Sequence, residues 1–238
     1  MSFAHSPQIV TNGLVLALDA GNTKSYVSGS TTWFDKSGYA NNGTLTGSVL
    51  PTFSSNPSTL VFTRSAITSL PENLNSVACN NTVGNDMTVS SWIKTTQVGN
   101  NTPHYTLMYI ISAEKGGSAN DFGFGVNVNG QIAFGTGTTD ITISGSIINT
   151  GIWCNVVATR VKSTGLVTLY VNGSLSNSGT ADIGNTLNAN PLIKIGSGDD
   201  YPAFSFGGSI ANVQIYNRAL SAQEVQQNFN ALRGRFGI

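Results

Sequence analysis

Charge is what this chain has least of. Lys and Arg number 11 and Asp and Glu another 11, so charged residues make up 9% of its 238 residues, against about 25% in an average globular domain. The two signs cancel to a formal net charge of zero. A nucleic-acid surface needs clustered Lys and Arg to displace counterions, so nucleic acid is not an expected partner. Long apolar runs are missing too. The opening stretch MSFAHSPQIVTNGLVLALDAGN has no charged leader, and its apolar run from Gly13 to Ala17 is far shorter than a signal h-region or a membrane span. Neither secretion by that route nor membrane insertion is expected. Histidine is nearly absent: His5 and His104 lie far apart, without a Ser or Cys nearby in an arrangement for nucleophilic attack, and both read as surface residues. The two cysteines, Cys79 and Cys154, lack metal-ligand spacing, which argues against a structural zinc site. They read either as two unpaired thiols or as one disulfide, and Cys154, beside Trp153 in an apolar segment, reads as a packed core residue.

What fills the chain is hydroxyl, amide and glycine: 27 Ser, 26 Thr, 26 Asn and 27 Gly. These residues favour turns and strand faces and disfavour helix interiors. Hydrophobic residues stand at 39%, enough for a sizeable core under a neutral, polar surface. The length suits one all-β domain over residues 1–238. In FGFGVNVNGQIAFGTG the apolar residues alternate through Phe122, Phe124, Val126 and Val128, then Ile132 and Phe134, with Asn129-Gly130 predicting a two-residue hairpin turn. LVTLYVNGSLSNSG repeats the pattern around Asn172-Gly173. Further strands are expected in GLVLALDA, TLVFTR, DMTVSSWIKTT, TLMYIISAEK, ITISGS, IWCNVVATRVK, PLIKIGS and GGSIANVQIYNR, while SGSTT and TFSSNPST read as loops. So many short strands without intervening helices predict an antiparallel two-sheet sandwich or jelly roll.

The C-terminus breaks the pattern. Ser221 and Glu224 form a capping box, Leu220 and Val225 a hydrophobic staple, and Val225, Phe229 and Leu232 share one face, which predicts a helix over 221–233 stopped by Gly234. So short a helix must dock, and the sandwich's open edge or end is the expected place. The tail, 234–238, together with Arg233, offers Arg233, Arg235 and Phe236 as an expected assembly contact. The Gly-rich stretches EKGGSANDFGFG and IGSGDD lack the Gly-Lys-Ser/Thr ending of a phosphate loop and read as turns.

Four pieces in order, WFDKSGYANNGTLTG (33–47), MTVSSWIK (87–94), LYVNG (169–173) and IANVQIYNRALSAQEV (210–225), resemble the laminin-G-like or concanavalin A-like jelly-roll family. The ends NGLVLALDAGNTKSY and YNRALSAQEVQQNFNALRGRFG resemble versions in virion structural proteins of tailed bacteriophages, including phages of cyanobacteria. The resemblance implies an all-β sandwich with a short C-terminal helix, working in binding or assembly rather than catalysis: a capsid decoration or tail/fibre-associated virion module. Its partners would be other virion proteins, copies of itself and a host-surface glycan. A secreted-type lectin module and a glycoside hydrolase are the alternatives. Hydrolases of this family need two facing carboxylates, which retaining β-glucanases alternate along one strand; no such spacing occurs here, and the adjacent pair Asp199-Asp200 diverges in a loop. Laminin-G-like modules often hold calcium at one end, which implies calcium at Asp121, Asp199 and Asp200 and a ligand site of Asn120, Asp121, Asp199 and Asp200, with Tyr201 and Phe204 stacking on a sugar.

Overall fold

A computed structural model describes residues 7–47, 49–64, 76–80 (as backbone), 83, 85–137, 142–198 and 204–238. The strands run in order β1 (Leu14–Asp19), β2 (Thr32–Trp33), β3 (Gly43–Thr46), β4 (Thr52–Ser55), β5 (Ser58–Phe62), β6 (Ser76–Asn80), β7 (Met87–Lys94), β8 (Met108–Ser112), β9 (Phe122–Val126), β10 (Gln131–Thr136), β11 (Thr142–Ile147), β12 (Cys154–Val161), β13 (Leu166–Val171), β14 (Ser174–Thr180), β15 (Leu192–Ile195) and β16 (Gly208–Tyr216). They build two antiparallel sheets, one ordered β14-β13-β12-β7-β16-β5-β4 with β1 also on β16, the other β11-β10-β9-β8-β15-β6-β3-β2. The expected sandwich is what forms.

The alternation decides which side chains meet between the layers. Val89, Ile93, Val156, Ala158, Val213 and Ile215 from the first sheet pack against Phe122, Phe124, Ile132, Phe134 and Ile193 from the second. Phe122 and Phe134 stack at 5.7 Å between neighbouring strands. Cys154 is a free thiol in this core, and burial pushes its pKa up to about 12. Among the four strands that the sequence does not announce, β2 and β4 lie at sheet ends, where pairing on one side asks little of the side chains. TFSSNPST is therefore not a loop: it supplies β4 and the start of β5, folded back at Asn56-Pro57.

Both Asn-Gly hairpins occur, with different turns. Asn172 and Gly173 have φ of 51° and 75°, and Val171 faces Ser174 across a two-residue turn. At the other, Asn127 N donates to Gln131 O, leaving a three-residue loop in which Gly130 alone has positive φ, 74°. Val128 consequently sits on the loop, 41% exposed, instead of continuing the core. Along one flank the end strands β11 and β14 are joined by side chains: Ser146 N donates to Ser176 Oγ at 2.7 Å and Asn177 Nδ2 to Ser144 O at 2.7 Å.

Helix α1 (Ala222–Leu232) starts at the expected capping box, with Ser221 N donating to Glu224 Oε2 at 2.9 Å. Its docking place differs from expectation. It lies on the outer face of the first sheet, because the central strands there point Trp92, Val157, Tyr170 and Tyr216 outward and leave apolar surface to be covered. Val225 packs with Val157, Tyr170 and Tyr216, and Phe229 stacks on Trp92 at 5.6 Å. Asn228, buried under the helix, accepts from Val10 N at 2.8 Å and donates to the Tyr216 hydroxyl at 2.9 Å. Gly234 does not stop the chain. A 3-10 turn runs on over Arg233–Phe236, and the left-handed residue is Gly237, φ 74°. Of the residues expected to make an assembly contact, two are engaged within the chain: Phe236 stacks on Trp92 at 4.1 Å and lies 4.9 Å from Trp153, while Arg235 pairs with Asp19 at 2.5 Å and donates to Ser58 O. Arg233 stays exposed, 6.0 Å from the Phe229 ring.

Candidate functional site

The second sheet's outer face is roofed by the segment between β7 and β8. That segment carries a 3-10 turn, His104–Thr106. Gly123 lets it lie down: a Cβ there would sit 2.8 Å from His104 O and 2.8 Å from Tyr109 Cε1. His104, expected on the surface, is therefore buried at 1% exposure. Its Nε2 lies 3.2 Å from Glu114 Oε2 and 3.5 Å from Asp121 Oδ1. The two acids come from the mouth of the β8–β9 hairpin, Glu114 just after β8 and Asp121 just before β9. The Gly-rich stretch between them is the turn expected of it. Lys115 N donates to Asp121 Oδ2 at 3.0 Å, and Asn190 Nδ2 to Glu114 O at 2.9 Å.

Burial alone would lower the His104 pKa. Hydrogen bonds to Asp121 and Glu114 and their charges outweigh it and raise the group to about 9. Burial is also the main reason the Glu114 pKa is raised, against the pull of His104. A cavity of about 260 Å³ reaches His104 and Glu114 past Tyr105, Ser118 and Gly137, and Tyr105 is 41% exposed with its ring at 90° to the imidazole. The sequence signal for Glu114 and Asp121 was their symmetric placement about a hairpin loop. His104 carried none.

Of the ligand residues expected from the sequence, Asp199, Asp200 and Tyr201 lie outside the described residues. Asn120 is exposed on the β8–β9 loop, where its carbonyl accepts from Ala189 N at 2.9 Å. Phe204, half-buried, packs edge-on against Tyr109 at 6.2 Å. Asp121 turns inward to the histidine. Of the residues implied for calcium, only Asp121 is among those described; the trio at His104 is a different donor set, which does not suit calcium, since calcium takes six to eight oxygens and one of the three ligand atoms here is an imidazole nitrogen.

A second hollow opens where β7 ends and β16 begins. This cleft of about 350 Å³ is lined by Trp153, Lys94, Gln97, Asn56, Thr59 and Ser209 among others. Trp153 is half-buried, held from behind by Phe236, and Thr95 Oγ1 donates to Gly207 O at 2.6 Å, tying the two walls. It offers amides, hydroxyls, one ammonium and one indole face. Sequence reasoning missed it, because its lining comes from four separate stretches of chain.

The matching family profile is that of the concanavalin A-like lectin/glucanases superfamily, over residues 71–226, more than half of the chain. The chain belongs to that superfamily. Domain 4 of a GH43 extracellular arabinanase from Geobacillus stearothermophilus, solved in complex with arabinotriose, shares this superfamily fold with a TM-score of 0.66 at 18% identity, covering 90% of this chain and 97% of that one. The botulinum neurotoxin serotype D binding domain superposes with a TM-score of 0.61 at 16% identity over 92% of this chain and 51% of that one. A sushi, von Willebrand factor type A, EGF and pentraxin domain-containing protein of Rattus norvegicus is 30% identical over 148 residues, 59% of this chain. This chain spans 4% of the length of that relative.

Proposed function

We propose that the chain is a non-catalytic glycan-binding module of lectin-like fold, serving on a bacteriophage particle as a capsid decoration or tail/fibre-associated protein. The cleft at Trp153 carries the binding half of this reading. A neutral sugar is held by an aromatic face under its C–H bonds and by amide and hydroxyl groups around its hydroxyls, and the cleft brings Trp153 together with Asn56, Gln97, Thr59 and Ser209. Its volume of about 350 Å³ suits one or two sugar rings. The arabinanase domain was solved with arabinotriose, and a botulinum neurotoxin DC binding domain with SialylT; both support a glycan as ligand. The virion half is supported by the sequence resemblance of both ends to phage structural proteins and by the sparsely charged exterior. Other virion proteins and copies of the chain are its proposed partners, with Arg233 as the outward part of the tail.

Against hydrolysis stands the arrangement of the paired acids. A glycosidase needs carboxyl groups about 5–9.5 Å apart on either side of the scissile bond, whereas Glu114 and Asp121 converge on one imidazole and are 5% and 1% exposed.

The test of binding is a glycan array followed by calorimetry on the strongest hit. Gln97→Ala and Trp153→Ala should weaken that binding by about 10-fold or more, with Asn120→Ala as an unaffected control. No saturable binding, or full binding by both cleft variants, overturns the assignment. For the virion role, the protein should co-purify with phage particles at fixed stoichiometry, and its absence from purified particles ends that reading.

A further inference from the structure

We propose that His104, Glu114 and Asp121 form a binding site for a first-row divalent transition cation of the zinc class, separate from the cleft at Trp153. The three ligand atoms lie within 4.8 Å of one another. Nε2 stands 3.2 and 3.5 Å from the two carboxylate oxygens, close to the roughly 3.3–3.5 Å separation of ligand atoms around a tetrahedral zinc with bonds of about 2.0–2.2 Å.

Charge points the same way. One imidazole nitrogen carries at most one proton, and here it faces two carboxylates. Glu114 Oε2 and Asp121 Oδ1 are closed off from solvent, and apart from their contacts with His104 they accept no hydrogen bond from the described residues. With the imidazole protonated and both carboxylates ionised, the trio would hold an excess negative charge at 1–5% exposure, costly in a low-dielectric interior and relieved either by a proton on one carboxylate or by a bound cation. A dication with a neutral imidazole and two carboxylates sums to zero. Nitrogen plus carboxylate is a donor set for zinc and its neighbours, not for calcium.

The surroundings leave room. Gly137 stands over the carboxylate, where a Cβ would come within 2.1 Å of Asp121 Oδ1. The cavity of about 260 Å³ adjoins His104 and Glu114, so a fourth position is open to water or to a ligand atom from outside. The inference does not depend on glycan binding, and either can fail alone.

The full chain, stripped with a chelator, is titrated calorimetrically with Zn²⁺, Ni²⁺, Mn²⁺ and Ca²⁺, and Co²⁺ is added to read its visible absorption. One equivalent of Zn²⁺ should bind, raise the melting temperature and release protons, and Co²⁺ should give a ligand-field band of low coordination number. Ca²⁺ should bind at least about 100-fold more weakly. Glu114→Gln should weaken Zn²⁺ more than about 100-fold, and Gly137→Ala, which alters no ligand, should weaken it too. Absence of stoichiometric Zn²⁺, Ni²⁺ or Mn²⁺ binding by the unaltered chain overturns the proposal without recourse to any variant. So does a preference for Ca²⁺, or undiminished zinc binding in folded Glu114→Gln.

Discussion

At the scale of residues, the chain spends its few charges on fixed tasks. Asp35 is an example from the stretch that first suggested the family. Its carboxylate accepts from Ala17 N and Ser37 N at 2.8 Å each, from Ser37 Oγ at 2.6 Å and from Asn41 N at 3.0 Å. It thereby pins the loop after Trp33 to β1. Asp35→Ala strands two buried N–H groups and is expected to cost about 3 kcal/mol in a urea unfolding curve; Asp35→Asn, which keeps one acceptor oxygen, should cost less. Arg160 works similarly, fully buried and donating to the carbonyls of Asp182 and Asn185 at 2.8 Å. Neither role was legible beforehand, because a single acid or base in a sequence does not say which distant backbone it will serve. The same limit hid His104, whose burial depends on a glycine nineteen positions on.

At the scale of elements, the sequence spoke clearly wherever local chemistry decides. The capping box, the staple and the Asn172-Gly173 turn depend on neighbours within a few positions, and all three are in place. Where an element's fate depended on what it packs against, the reading drifted: α1 lies over the outward Trp92 and Tyr216 rather than at an edge. The start of α1 also yields a pH dependence. Arg218 grips Glu224 with bonds of 2.6 and 2.9 Å, and this, chiefly, lowers the Glu224 pKa from 4.5 to about 2. An acid whose folded pKa is depressed stabilises the fold above its unfolded value and loses that contribution as pH falls through the folded one. The difference in melting temperature between the unaltered chain and Glu224→Gln should therefore be constant near pH 7 and shrink from about pH 4.5 down towards 2. A difference that grows on acidification contradicts the assigned role.

At the scale of the whole molecule, the sandwich was legible because alternation is a property of every strand at once, so errors at single positions such as Val128 do not alter it. Its candidate sites were not, because both the cleft and the histidine trio assemble from separate stretches of the chain. The C-terminal segment is the clearest case of a global contact outweighing a local expectation: a terminus that local rules would leave fraying is locked by two indoles. Truncation after Leu232 removes Phe236 from Trp92 and Trp153 and breaks the Arg235–Asp19 pair. It is expected to lower stability by about 3 kcal/mol or more and to increase binding of a hydrophobic dye. Unchanged stability would show that the docked segment adds nothing.

The scarcity of ions has one more effect. Dissolved salt acts on a protein largely by screening its charges, and a coat of alcohols and carboxamides gives it little to screen. The solution behaviour of this sandwich should thus differ little between dilute buffer and physiological saline.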